Sequence, residues 1–330
     1  MRVAVLGAGQ MGTAFGKPVL ESGNELVYWG PEWIDTPALE ALAANKPHPD
    51  LGVALPATVD TTSSIEEAVH DADLIALAVT GEGAEWVAPE AAKYAPEGAP
   101  VMVFSKGLIE GDGGGIVAVP EFAQEVFGPS RKVVGVGGPV KAIDLIWGSP
   151  TQTAFAAANL DDARAACEKF AADYYFPGAS DDLSGLGFCA ALKNCYAIAF
   201  GMITGDDAKP NLRALAFGTA LGEISRLVSA AGGRPETVTG AAGAGDLYVT
   251  CLSGRNGDFG RRLNTGAGRE EALKDMNNAT VEGLGTLPPA LDLARSLDLG
   301  EEELPLLHKL DAVLREEESA RDLRLADLLL

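Results

Sequence analysis

The chain has 330 residues, 47% of them apolar, which is enough to bury a large core and on size favours two domains over one; a disordered polymer is excluded. Its 25 basic and 47 acidic side chains leave a formal charge of -22, which repels a phosphate backbone at long range and speaks against nucleic acid as partner. An anionic substrate then has to be caught by a local cluster of cations.

Met1-Arg2 runs straight into the apolar run Val3 to Leu6 and then glycines, too short and too early broken for a signal peptide. Further apolar or β-type runs follow at residues 25–29, 74–79, 100–105, 133–137, 153–157 and 174–176. Several are apolar on both faces, and many of the segments between them are long enough for crossover helices. The pattern predicts a Rossmann-type, doubly wound α/β domain over residues 1–182. From residue 183 to 330 the chain turns to Ala- and Leu-rich stretches with helical spacing, at 183–203, 212–231, 286–296 and 304–318, which predicts an all-α domain. Only Tyr248-Val249-Thr250 suggests a short strand there. The Gly111 to Gly115 run lacks a following Lys-Ser/Thr, so it reads as a mobile surface loop and not a P-loop. No later stretch reaches the ~18 apolar residues of a membrane span, so a soluble cytoplasmic protein without membrane insertion is expected.

Acidic clusters at Asp181-Asp182, Asp206-Asp207, Glu301 to Glu303 and Glu316 to Glu318 read as solvated faces or loops. So large an excess also fits a salt-rich cytosol, as well as an ordinary acidic surface. Cys167, Cys189, Cys195 and Cys251 are spaced neither as a zinc site nor as a disulfide framework, and His48, His70 and His308 are far apart. Reduced thiols and no metal are expected.

Gly7-Ala8-Gly9-Gln10-Met11-Gly12 matches G-x-G-x-x-G directly after a strand and before a helical stretch. Gly7 permits the tight turn, Gly9 lets backbone approach the pyrophosphate, and Gly12 allows close helix–strand packing. The helix N-terminus at Gln10 and Met11 faces the phosphates. Past the second strand, Glu32 is placed to accept from a ribose 2′-hydroxyl and to repel a 2′-phosphate, with no Arg or Lys nearby in sequence. NAD is favoured and NADP remains open.

No histidine pair offers itself for acid–base work, so lysine is the better candidate. Lys106 follows a predicted parallel strand at the sheet's carboxyl end, where ligands gather. Lys193 and Asn194 lie in an apolar helix beside Ala190, Ala197 and Gly201, small residues that permit close approach by another element. An ammonium there costs energy unless paired or functional. Further on, Asp246, Thr250, Arg255 and Asn256 stand in and after a Gly/Ala-rich loop, and Arg with Asn and Thr donors suits a phosphate dianion.

These residues make the chain resemble the NAD(P)-dependent glycerol-3-phosphate dehydrogenases. The matching segments are GAGQMGTAF (7–15), KPHPDL (46–51), FSKGLI (104–109), GP (138–139), ALKNCYAIAFGMITG (191–205), GAGDLYVTCLSGRN (243–256) and VEG (281–283). The resemblance implies hydride transfer between a nicotinamide and C2 of dihydroxyacetone phosphate, with a homodimer as the assembly. It also implies Lys193 as general acid/base, Lys106 and Gly138 beside the substrate, and Asp246 organising the lysines. Arg255 and Asn256, with Asn194 and Thr250, become the phosphate grip; Glu282, with Ala142, Lys106 and Arg255, becomes a cofactor contact. The chain departs from the usual bacterial Gly-Pro-Ser-Phe-Ala at Gly138-Pro139-Val140-Lys141-Ala142, and carries Thr80-Gly81 in place of Pro-Ser and Gly254 in place of Ser. Those departures keep open another small phosphorylated or carboxylated ketone, with Lys141 as an extra anion contact. A non-catalytic dinucleotide-binding protein is the third reading, against which both retained lysines speak.

Overall fold

In a computed structural model, which describes residues 1–320, strands buried on both faces organise the first half. Among the described residues ten strands run β1 (Arg2–Leu6), β2 (Glu25–Trp29), β3 (Asp60–Thr62), β4 (Leu74–Leu77), β5 (Val101–Val103), β6 (Leu108–Glu110), β7 (Ile116–Ala118), β8 (Val133–Gly137), β9 (Thr151–Ala157) and β10 (Tyr175–Ser180). In β1, Val3 and Val5 enter one apolar layer while Ala4 and Leu6 enter the other, and β2, β4 and β5 alternate likewise. Burial on both faces is what a central parallel strand requires.

Eight of the strands form one sheet in the order β10-β9-β8-β5-β4-β1-β2-β3. Every pairing in it is parallel except β8 with β9, which is antiparallel. The chain winds outward from β1 to β2 and returns to β4 on the other side, so the topological switch point lies between β1 and β4. Two features escape the sequence reading. β3 is a short polar edge strand with no apolar signature. β6 and β7 form a hairpin, and the glycine run expected to be a mobile loop is its turn, where the Gly111 N–H donates to the Gly115 carbonyl at 2.8 Å.

The second half is built around the helix Leu183–Thr204, buried along nearly its whole length. Around it pack Pro210–Ala230, Asp246–Leu252, Arg255–Asn264, Glu282–Ser296 and Pro305–Leu314. By length and composition the central helix could cross a membrane, contrary to expectation, yet 94% of its apolar window is buried inside the protein. An all-round apolar helix is satisfied by that burial. Tyr248-Val249-Thr250 is not a strand: it lies within Asp246–Leu252, where the Thr250 hydroxyl donates back to the Asp246 carbonyl at 2.7 Å. The four cysteines are free thiols, three of them buried.

Candidate active site

At the switch point the backbone needs its glycines. Gly7 has φ +116°, and a Cβ there would stand 2.6 Å from the Ala78 carbonyl oxygen; a Cβ on Gly12 would overlap the Gly7 carbonyl. In front of Gly9 the space is open: beyond its neighbours in the chain, no described residue comes within 4 Å of where a Cβ would sit. Helix Gln10–Glu21 starts there and aims its free N–H groups at that space. The turn is held from behind by two residues that sequence reasoning passed over. Buried His48 sets Nε2 2.9 Å from the Ala8 carbonyl, while its Nδ1 accepts from the Asp50 N–H at 3.2 Å. The acceptor role of Nδ1 puts the ring proton on Nε2, so a neutral imidazole donates to Ala8. Asp35 accepts from the Ala8 N–H at 3.3 Å.

A cleft of about 450 Å³ opens from this turn toward the helical half. Gly9, Gln10, Met11, Lys106, Gly138, Ala142, Lys193, Arg255 and Glu282 all line it, with Asp50, Thr80 and Gly81 besides. Gly7 in the turn, Gly12 in the helix that follows, and Asp246, Thr250, Asn194 and Asn256 do not line the cavity itself.

Asp246 is 1% exposed and stands between the lysines: one carboxylate oxygen takes Lys193, the other takes Lys106 at 2.9 Å. Thr250 Oγ1 accepts from Lys193 at 3.0 Å, and its own proton is spent on the Asp246 carbonyl. The Thr250 hydroxyl therefore positions the lysine and has no second proton to offer an anion. Burial lowers the Lys193 pKa to about 8, with Lys106 adding repulsion against the pull of Asp246. For Lys106 burial also acts downward, but attraction to Asp246 outweighs it and the pKa rises. Burial pushes the Asp246 carboxyl up; the two ammonium groups more than reverse that and hold it low.

Behind the cleft an amide layer joins three helices. Asn256 Nδ2 donates to Asn194 Oδ1 at 2.9 Å, Asn194 Nδ2 donates to Glu282 Oε2 at 3.1 Å, and the Gly283 N–H donates to Asn256 Oδ1 at 3.0 Å. Each amide keeps one N–H unspent. Arg255, half-exposed, reaches Glu282 only at 3.9 Å and so remains available to an anion. The layer depends on close helix approach: a Cβ on Gly201 would overlap the Gly257 carbonyl, and one on Gly260 the Ile198 carbonyl.

A sequence profile for the NAD-dependent glycerol-3-phosphate dehydrogenase N-terminus matches residues 2–163, and the profile for the C-terminus of the same enzymes matches residues 182–324. The chain belongs to this family. A glycerol-3-phosphate dehydrogenase [NAD(P)+] of Enterococcus faecalis is 34% identical over 336 residues, covering 99% of this chain and 96% of that protein. The NADP(+)-dependent glycerol-3-phosphate dehydrogenase of Archaeoglobus fulgidus is 30% identical, with 94% of each chain covered. A crystal structure of glycerol-3-phosphate dehydrogenase from Coxiella burnetii superposes with a TM-score of 0.85 at 24% identity, covering 99% of this chain and 97% of that one, and shows the shared fold.

The segment 46–51 that resembles the glycerol-3-phosphate dehydrogenase family carries His48, so a signal for the brace behind the turn was present in the chain. Glu32 lies elsewhere from the catalytic trio. It opens the helix Glu32–Ala43, accepts from Ser63 Oγ at 3.0 Å, and faces a separate groove of about 370 Å³ with Trp29, Trp33, Trp86, Glu66 and Glu90. Among the described residues no Lys or Arg lines that groove.

Proposed function

We propose that the protein interconverts dihydroxyacetone phosphate and sn-glycerol 3-phosphate with a nicotinamide dinucleotide. Family membership supplies the reaction class, and the observation that carries the mechanism is Lys193 and Lys106 on one buried carboxylate in the cleft that holds the glycine turn. The open space before Gly9 and the helix N-terminus at Gln10 fit a pyrophosphate. When bound, the cofactor supplies or takes the hydride at C2. Lys193 donates a proton to the carbonyl oxygen as negative charge develops on it, and takes the proton back in the reverse direction. Lys106 stays charged and stabilises that developing charge. Arg255, with the unspent amide N–H groups of Asn194 and Asn256 behind it, holds the phosphate.

The acidic groove at Glu32 supports NAD over NADP, because a 2′-phosphate there would meet carboxylates and, among the described residues, no cation. A homodimer is the assembly implied by the resemblance. Purified protein, assayed at low and at molar salt, should oxidise NADH faster with dihydroxyacetone phosphate than without it, and NADH faster than NADPH. No acceleration by dihydroxyacetone phosphate sinks the reading; a keto acid that clearly outperforms it replaces the substrate.

A further inference from the structure

Of the cations that line the cleft among the described residues, Arg255 alone remains available to a phosphate dianion, one positive charge for two negative ones. Lys193 and Lys106 share the charge of Asp246, and Arg255 faces Glu282 at 3.9 Å. In a chain of net charge -22, a dianion needs cations whose charge is not already cancelled. One such cation stands on the Rossmann side, just outside the lining of the cavity. Lys141 lies between Val140 and Ala142, both of which line the cavity, and its backbone is fixed: the Asp144 and Leu145 N–H groups donate to its carbonyl at 3.1 and 3.0 Å. Its ammonium crosses to the helical half and donates to Ser253 Oγ at 3.0 Å. Among the described residues no carboxylate pairs with it. Ser253 is followed by Gly254 and then by the first turn of helix Arg255–Asn264, so the ammonium rests two positions from Arg255.

We infer that Lys141 is a second cation for the substrate's phosphate, resting on Ser253 until the anion arrives. The inference rests on the functional reading above and deepens it. A neutral hydroxyl is a weak partner for an ammonium beside a phosphate oxygen, whose charge-assisted bond is roughly twice as strong. A lysine also has the flexible four-carbon stem to swing from one to the other with its backbone unmoved. The position bears a cation where the resemblance leads one to expect phenylalanine, so this chain would grip phosphate from both halves, Arg255 on one side and Lys141 on the other.

The test uses the full chain saturated with NADH, as parent, Lys141→Met and Lys141→Arg. Calorimetric titration with inorganic phosphate reads the anion site without turnover, and KM for dihydroxyacetone phosphate reads it in catalysis. Lys141→Met should weaken both by about tenfold, the scale of one charge-assisted contact, with kcat and NADH affinity held within about twofold. Lys141→Arg, which keeps the charge, should recover most of the loss. Phosphate binding in Lys141→Met equal to the parent's overturns the inference, as does parent protein that binds no phosphate. A loss of NADH affinity by the same factor as phosphate would instead make Lys141 a strap between the halves, and also overturns it. Parent protein that binds phosphate but does not turn over dihydroxyacetone phosphate sinks the functional reading alone, and the calorimetry still decides Lys141.

Discussion

Two ammonium groups share one buried carboxylate, and burial disfavours the charged form of an amine, so the trio loses a proton more readily than a lysine in water although Asp246 opposes that loss. Lys193, brought to about 8 chiefly by burial, is the group that gives it up. Reduction needs the protonated form and should fall as pH rises through about 8; oxidation needs the neutral form and should rise through the same region. Rate profiles in both directions check the pair, and two profiles of the same slope would remove Lys193 from the role. Lys193→Met should cost about 10²–10⁴ in kcat, the usual worth of a general acid, while NADH binding persists. Asp246→Asn removes the attraction that opposes burial, so the Lys193 pKa should drop further and the reductive limb should move to lower pH. Both lysines were legible in the chain because lysine is scarce and they stand in the family's order. The partners of Thr250, Asn194 and Asn256 were not. An amide or hydroxyl in sequence carries no sign of whether it will meet a ligand or a neighbour, and only folding showed Thr250 spent on Lys193 and Asp246.

Elements matter because the amide layer exists only if helices Leu183–Thr204 and Arg255–Asn264 approach closely. Gly260 has a backbone carbonyl where its Cβ would go, and a carbonyl in a helix cannot swing aside as a side-chain tip can. Gly260→Ala should therefore push the helices apart, costing about 1–3 kcal/mol in urea unfolding, the usual price of overpacking. It should also raise KM for the phosphorylated substrate, because Arg255 and Asn256 ride on the displaced helix. Wild-type values of both would show that the contact yields freely. The small residues at Ala190, Ala197 and Gly201 announced a close neighbour without identifying it. Strands β1 and β2 were legible from their unbroken apolar runs, whereas Tyr248-Val249-Thr250 misled: β-branched residues suggested a strand, but bonds four residues back made it helix. β3 offered nothing to read, being three polar residues that pair along one edge of β2.

For the whole molecule, the formal charge of -22 acts on the fold as well as on the substrate. Like charges spread over one surface repel each other, and folding brings them together, so the native state carries a repulsion that the extended chain partly escapes. Salt weakens it: between 0.1 and 1 M the Debye length contracts from about 10 Å to about 3 Å. The buried pairs on Asp246 are shielded from that screening by the protein around them. Raising KCl over this range should therefore raise Tm by several degrees while the reductive pH limb near 8 moves little. Potassium chloride is the appropriate salt, since sulfate and phosphate strengthen apolar burial in any protein and phosphate also competes for the cleft. A flat or falling Tm would show that the excess carboxylates are far enough apart to be hydrated without strain, and the acidic surface would then bear on solubility alone.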